Sequence, residues 1–260
     1  MPYPAARRQP YASLATRVGD GVRNVPYGRF PSVPFPSLVP FLTGAALLAP
    51  TSPPAAAVPH GVRHEAPVTA AELRARTRDC AQVSHGRYRE DAGGPAKVRV
   101  CGTRSAVFWK ADLDTDCDGR PGTRCNRRTD PYFSPATAFP QSDGRPLDAE
   151  RLPYIVIPPA SALWDHRAHG VRGGSVAAVL YRDRVRYAVV GDTGPRDLIG
   201  EASYATARAL GIDPDPRVGG APSGVTYIVF RDTRAQPIED HQDAVAQGEE
   251  LARKFVGRTG

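Results

Sequence analysis

Asp192 and Glu201 are the residues whose types and spacing point most directly to chemistry. They lie in Tyr187–Tyr204, YAVVGDTGPRDLIGEASY, where the apolar run Ala188–Val190 leads into Gly191-Asp192-Thr193-Gly194-Pro195 and Glu201 follows Gly200, nine residues after Asp192. An acid at the end of a buried strand loses hydration and needs a partner or a purpose. Two carboxylates on rigid elements flanking one turn can face one cleft. Glycosidic hydrolysis needs such a pair, one to protonate the leaving oxygen and one to activate water or attack the anomeric carbon. A plainer account also fits the spacing: Asp192 caps a turn, and Glu201 opens a helix, where the helix dipole favours a carboxylate.

A second group of acids is Asp112-Leu-Asp114-Thr-Asp116-Cys-Asp118-Gly119. Asp114, Asp116, Asp118 and Gly119 match the opening of a calcium-binding EF-hand loop, but the twelfth position is Cys125 in place of a bidentate Glu, so a standard EF-hand is rejected. A looser calcium site, a solvated acidic loop and a cleft lined for a cationic sugar polymer stay open as readings. Trp109 and Trp164-Asp165-His166 are further candidates, the tryptophans for stacking on a sugar face, although core packing is their commoner fate. His166 has no partner at metal-ligand spacing. No G-x-S-x-G occurs, so Ser175 and Ser203 give a serine hydrolase little support. No metal and no cofactor are assigned.

The elements that must position these residues are mostly strands. Thr69-Ala-Ala-Glu72 has the form of a capping box ahead of a helix to about Arg78. Residues 98–101, 106–111, 154–158, 175–181, 186–190 and 224–230 read as strands, with Arg182-Asp183-Arg184 as a hairpin connection. The stretch 112–135, rich in Asp, Gly, Arg and Pro, reads as a long loop. Residues 203–210 read as a helix ended by Gly211, and 240–256 as a closing helix with Val245, Leu251, Ala252 and Phe255 on one face. Many strands with few helices predict a β-rich α+β single domain, a compact barrel decorated by a few helices, over residues 69–260.

Residues 1–57 form a leader, and 58–68 a linker. The 12-residue apolar run Leu38–Ala49 is preceded by arginines and followed by Pro53-Pro54-Ala55-Ala56-Ala57, the order of a secretory signal and its cleavage site. The run is too short to span a bilayer. Export predicts a secreted, extracellular protein with oxidised cysteines. The four present, Cys80, Cys101, Cys117 and Cys125, allow three connectivities among which sequence does not choose. Cys80–Cys101 and Cys117–Cys125 are favoured, because the alternatives would entangle two locally closed segments. The absence of any CxxC pair argues against zinc. The net charge of +7 is uneven: removing the five arginines and one aspartate of residues 1–57 leaves 29 basic and 26 acidic side chains, about +3, which weakens the case for nucleic acid. No membrane association is expected of the mature form, and a monomer is.

Several separated segments resemble the fungal and actinobacterial chitosanases of glycoside hydrolase family 75. They are Val107-Phe-Trp-Lys-Ala-Asp-Leu-Asp-Thr-Asp-Cys-Asp-Gly119, Thr129-Asp-Pro-Tyr132, Leu152-Pro-Tyr-Ile155, Gly191-Asp-Thr-Gly-Pro195, Ile199-Gly-Glu-Ala-Ser203 and Gly224-Val-Thr-Tyr-Ile228, in order from Cys80 to about Phe255. The resemblance implies endo-hydrolysis of β-1,4-linked glucosamine in chitosan by an inverting mechanism, with the family's essential Asp and Glu falling on Asp192 and Glu201. An inverting pair would stand roughly 6.5–9.5 Å apart, whereas about 5 Å would favour retention. Unperturbed pKa and reach favour Glu201 as acid and Asp192 as base. The Gly-Asp-Thr-Gly turn also resembles that of double-psi β-barrel lytic enzymes, which use the turn aspartate as acid and which suggest a double-psi-like barrel here by analogy. The more desolvated carboxyl is the one that keeps its proton. The rival functions are a non-catalytic carbohydrate-binding or wall-loosening protein on the same barrel, and a calcium-stabilised extracellular module built on residues 112–118.

Overall fold

A computed structural model describes residues 67–258. The expected leader, and the linker up to residue 66, lie outside the described residues. Eight strands and three α-helices follow in the order α1 (Ala70–Ala75), β1 (Ala81–Gln82), β2 (Cys101–Gly102), β3 (Ala106–Asp116), β4 (Tyr154–Ile157), β5 (Val176–Tyr181), β6 (Arg184–Thr193), β7 (Glu201–Ser203), α2 (Tyr204–Leu210), β8 (Ala221–Phe230) and α3 (His241–Val256), with a short 3-10 helix between β4 and β5.

Six of these strands close a barrel in the order β3-β7-β4-β6-β5-β8, with β8 returning to β3. The pairs β3/β7 and β4/β6 are parallel, and the other four are antiparallel. β1 and β2 continue the sheet antiparallel from the start of β3. This is the β-rich, helix-decorated single barrel that the strand-dominated sequence implied.

Alternation along the strands sorts side chains to the two faces. Val107, Trp109, Ala111 and Leu113 of β3 join Ile155, Ala177, Val190, Ala202 and Tyr227 in a cluster that draws on every barrel strand and fills the interior. Their neighbours in sequence, among them Phe108, Tyr154, Leu180 and Ile228, face outward and receive Leu73 of α1 and Ala252 and Phe255 of α3. Each large apolar side chain removed from water in this way contributes about 1.5–3 kcal/mol.

The helix ends behave as their sequences require. Thr69 and Glu72 form the capping box of α1, Ser203 caps α2 through Thr206 N, and Asp240 caps α3 through Gln242 N and Asp243 N. Gly211 and Gly257 end α2 and α3 in the left-handed conformation. Both favoured disulfides are present, Cys80–Cys101 and Cys117–Cys125.

Two elements differ from expectation at functional residues. The acids from Asp112 to Asp116 lie on the second half of β3 and not in a loop, which starts only at Cys117. Asp is a poor strand former, but Leu113 and Thr115 alternate with the acids and are buried, so packing overrides propensity. Glu201 opens strand β7 and not a helix; α2 begins three residues later.

Candidate active site

Strand register assembles the site. Glu201 on β7 is the partner of Asp114 on β3 and of Val156 on β4, and Val156 is in turn the partner of Asp192 on β6. Asp114, Glu201, Val156 and Asp192 therefore form one row across four neighbouring strands. Ala202 points into the barrel, so Glu201 points out. Asp192 shares that outer face only because of an irregularity. The register shifts between Ile155 and Val156, where Val190 pairs with Ile155 and Asp192 with Val156, leaving Gly191 as an extra residue. Val190 faces inward; without the bulge Asp192 would follow it into the core.

Glycines make room for the row. A Cβ on Gly191 would lie 2.6 Å from Tyr154 Cβ and 2.7 Å from Leu147 Cδ1, and one on Gly194 would lie 2.8 Å from Glu201 Oε2. Gly200, with φ of 126°, passes so close to Asp112 Oδ1 that a side chain there would collide with it.

Both principal carboxylates are 7% exposed. Asp192 Oδ1 accepts hydrogen bonds from Ala138 N and Thr193 N, each 2.7 Å. Burial pushes the Asp192 carboxyl well above the usual range, helped by the charges of Asp116 and Glu201 and opposed by those two backbone donors. Tyr154, fully buried, places its hydroxyl 2.9 Å from the Asp118 carbonyl and 3.2 Å from Asp116 Oδ2. Ala138 belongs to the segment between β3 and β4, which the Cys117–Cys125 disulfide and its own polar contacts hold in shape. Among these, Glu150 Oε1 accepts from Arg124 N and Cys125 N, and Asp118 Oδ1 accepts from Ser134 N.

The remaining sequence candidates fall in four places. Asp112 and Asp114 sit on the outer face of β3 beside Glu201. Asp116 and Asp118 continue toward the covering segment and are engaged in holding it: Asp116 Oδ1 accepts from Asp118 N at 3.0 Å. Trp109 and Trp164 do not reach a sugar. They are 1% and 0% exposed, Trp109 stacks on Tyr227 with centroids 5.2 Å apart, and Trp164 meets Trp109 edge-on at 6.3 Å. Rings enclosed on all sides have no face left for a polymer, so the stacking role is corrected to core packing. Asp165 caps the short 3-10 helix His166–His169 and pairs with Arg167, and His166 Nδ1 lies 2.8 Å from Val171 O. These contacts are local and structural.

Sequence reasoning missed the Ala138 N–H, the spacer Val156, and two acids of an earlier loop, Glu90 and Asp91. Burial raises Asp112 to about 9, reinforced by Asp114, Glu90, Asp91 and Glu201. The bulge at Gly191 had one visible signal, a glycine inside an apolar strand; the acids of residues 90–91 had none, because only tertiary structure brings them to β3. Elsewhere, a surface cavity of about 610 Å³ carries Arg172 and Arg234 as its charged lining, which suits an anion and not a polycation.

Comparison with known proteins bears on this geometry. Residues 113–255 match the family described as fungal chitosanase of glycosyl hydrolase group 75. A protein of Aspergillus fumigatus named endo-chitosanase is 31% identical over 174 residues, 61% of this chain and 73% of its own length. An endo-chitosanase of Aspergillus oryzae is 31% identical over 140 residues, covering 49% of this chain and 56% of the relative. Endo-chitosanase B of the same species is 32% identical over 134 residues, with 48% and 56% covered. The chain thus spans about half the length of the Aspergillus oryzae relatives it matches.

Proposed function

From the premise that the chain belongs to glycoside hydrolase family 75, we propose that it is a secreted endo-chitosanase that hydrolyses β-1,4 bonds between glucosamine units with inversion, using Asp192 and Glu201. The observation that carries this reading is the row Glu201–Val156–Asp192 on one face of the barrel. Neighbouring strands are about 4.8 Å apart, so two acids separated by one strand stand roughly 10 Å apart at the backbone. That spacing suits a pair with a water between its carboxyl groups better than the closer pair of a retaining enzyme.

Burial supports Asp192 as the general acid, because a carboxyl pushed upward keeps its proton near neutral pH. Both backbone donors reach Oδ1, which leaves Oδ2 to hand the proton to the glycosidic oxygen. Glu201 then takes a proton from the water that attacks the anomeric carbon from the opposite side. This reverses the assignment favoured by unperturbed pKa and reach. The outward acids of β3 take up the cationic polymer, and the enzyme acts as a monomer. The two disulfides support an oxidising destination outside the cell.

Asp192→Asn and Glu201→Gln should each abolish release of reducing ends from chitosan while thermal unfolding remains cooperative. Early product from the wild-type protein should be the α-anomer. Unchanged turnover in both variants would remove the pair from the mechanism, and an initial β-anomer would replace inversion by retention.

A further inference from the structure

Three carboxylates that the proposed acid and base do not use converge beside Glu201. Asp112 and Asp114 project from the outer face of β3, and Asp91 reaches them from a loop, so that one oxygen of each lies within 4.8 Å of the others. The loop is fixed by Arg89 N donating to Asp197 O at 2.9 Å and Ile199 N donating to Arg89 O at 3.0 Å. Asp112 is only 5% exposed, and its Oδ1 is buried with no hydrogen-bond partner among the described residues. An acceptor buried and unpaired is costly unless a ligand brings a donor. Lys97 acts on this cluster, but its ammonium is engaged by Glu90.

The spacing fits a particular donor. An ammonium group offers three N–H bonds in tetrahedral directions, and with charge-assisted bonds of about 2.8 Å its three acceptors stand ~4.6 Å apart. An N-acetylated sugar offers one amide N–H and no charge at the same position, which leaves two of the three carboxylates unanswered. Asp114 is the register partner of Glu201, so the pocket lies one strand from the reacting bond.

We propose that Asp91, Asp112 and Asp114 form a subsite for the ammonium group of one glucosamine unit adjoining the cleaved bond, and that this subsite makes the enzyme select an unacetylated sugar there. The proposal rests on the chitosan-hydrolysing reading for its ligand, but its test does not depend on turnover. The Asp192→Asn protein, titrated calorimetrically, should bind a fully deacetylated glucosamine oligomer in preference to its N-acetylated counterpart. Adding Asp112→Asn, which preserves shape, or the exposed Asp91→Asn should weaken the glucosamine oligomer about tenfold or more and narrow the gap between the two ligands. In the active protein, Asp91→Asn should raise KM more than it lowers kcat and should relax the requirement for glucosamine at one product end from partially acetylated chitosan. An unchanged preference in both variants overturns the proposal. So does calcium chloride that raises the unfolding temperature of the wild-type protein and not of Asp112→Asn, because the pocket would then belong to a metal ion. If the wild-type protein leaves chitosan intact, the hydrolytic reading fails, and the titration still decides the pocket.

Discussion

Without a bound ammonium beside it, Asp112 keeps its proton because its surroundings offer little water and much negative charge. Burial leads, and Asp114, Glu90, Asp91 and Glu201 add to it, with Lys97 as a counter-charge, so the carboxyl is raised to about 9. The unfolded chain releases the same proton near pH 4. Between those values the folded state binds more protons than the unfolded one, and stability must fall as pH rises, with a limiting slope of about 1.4 kcal/mol per pH unit for the group. Asp192 acts in the same direction. The unfolding temperature of the wild-type protein relative to Asp112→Asn should therefore decline between about pH 5 and pH 8; a difference that stays flat or rises would show that Asp112 is ionised in the native state. Activity should hold through neutral pH and fall on the alkaline side, as Asp192 loses the proton assigned to it in the proposed mechanism. At this scale the sequence carried much of the site. Asp192 and Glu201 stood out by type and spacing, though the same spacing also fitted a turn cap and a helix start, and the family resemblance separated the two. Asp91 stayed hidden because nothing local marks a loop acid that tertiary pairing, such as that of Arg89 with residues 197–199, brings to β3.

The decisive element is the bulge in β6. A period-two reading of VVGDT sends Val190 inward and would send Asp192 after it, yet Gly191 takes up one extra residue and turns Asp192 outward into line with Glu201. The same period-two rule, applied to Asp112-Leu-Asp-Thr-Asp116, recovers a strand with three acids on one face, where composition had suggested a loop. Glu201 illustrates the opposite difficulty. A three-residue strand running directly into α2 has no room for a repeating pattern, so the helix signal of Ser203–Leu210 absorbed it. Gly191→Ala tests the bulge. Its new methyl would meet Tyr154 and Leu147 well inside ordinary contact, a cost of about 1–3 kcal/mol for a packed site, and relief of that clash must move either β6 or Tyr154. We expect a lower midpoint in urea together with a loss of turnover larger than the stability change explains at low temperature. Full turnover in a folded Gly191→Ala protein would mean that the bulge does not set the position of Asp192.

At the scale of the molecule, the barrel supplies one wall of the site and the segment between β3 and β4 supplies the other. That segment has no strand or helix of its own, and its length and disulfide were visible in the sequence, but its destination was not. It reaches Asp192 through Ala138 N after a chain of contacts in which Cys125 and Arg124 bind Glu150, and Ser134 binds Asp118. The two disulfides should therefore separate stability from activity. Cys80–Cys101 closes 21 residues at the β1–β2 edge of the sheet, and Cys117–Cys125 closes 8 at the root of the covering segment. On chain entropy alone their removal costs about 3.3 and about 2.5 kcal/mol respectively. A Cys80→Ser/Cys101→Ser protein should thus be the less stable of the two, yet hydrolyse chitosan nearly normally at a temperature where it is folded. Cys117→Ser/Cys125→Ser should be more stable and less active, because a loosened segment no longer delivers Ala138 N to Asp192. Denaturant unfolding and initial rates on the two variants measure both quantities, and equal residual activities would show that the covering segment holds its shape through its hydrogen bonds without the bridge.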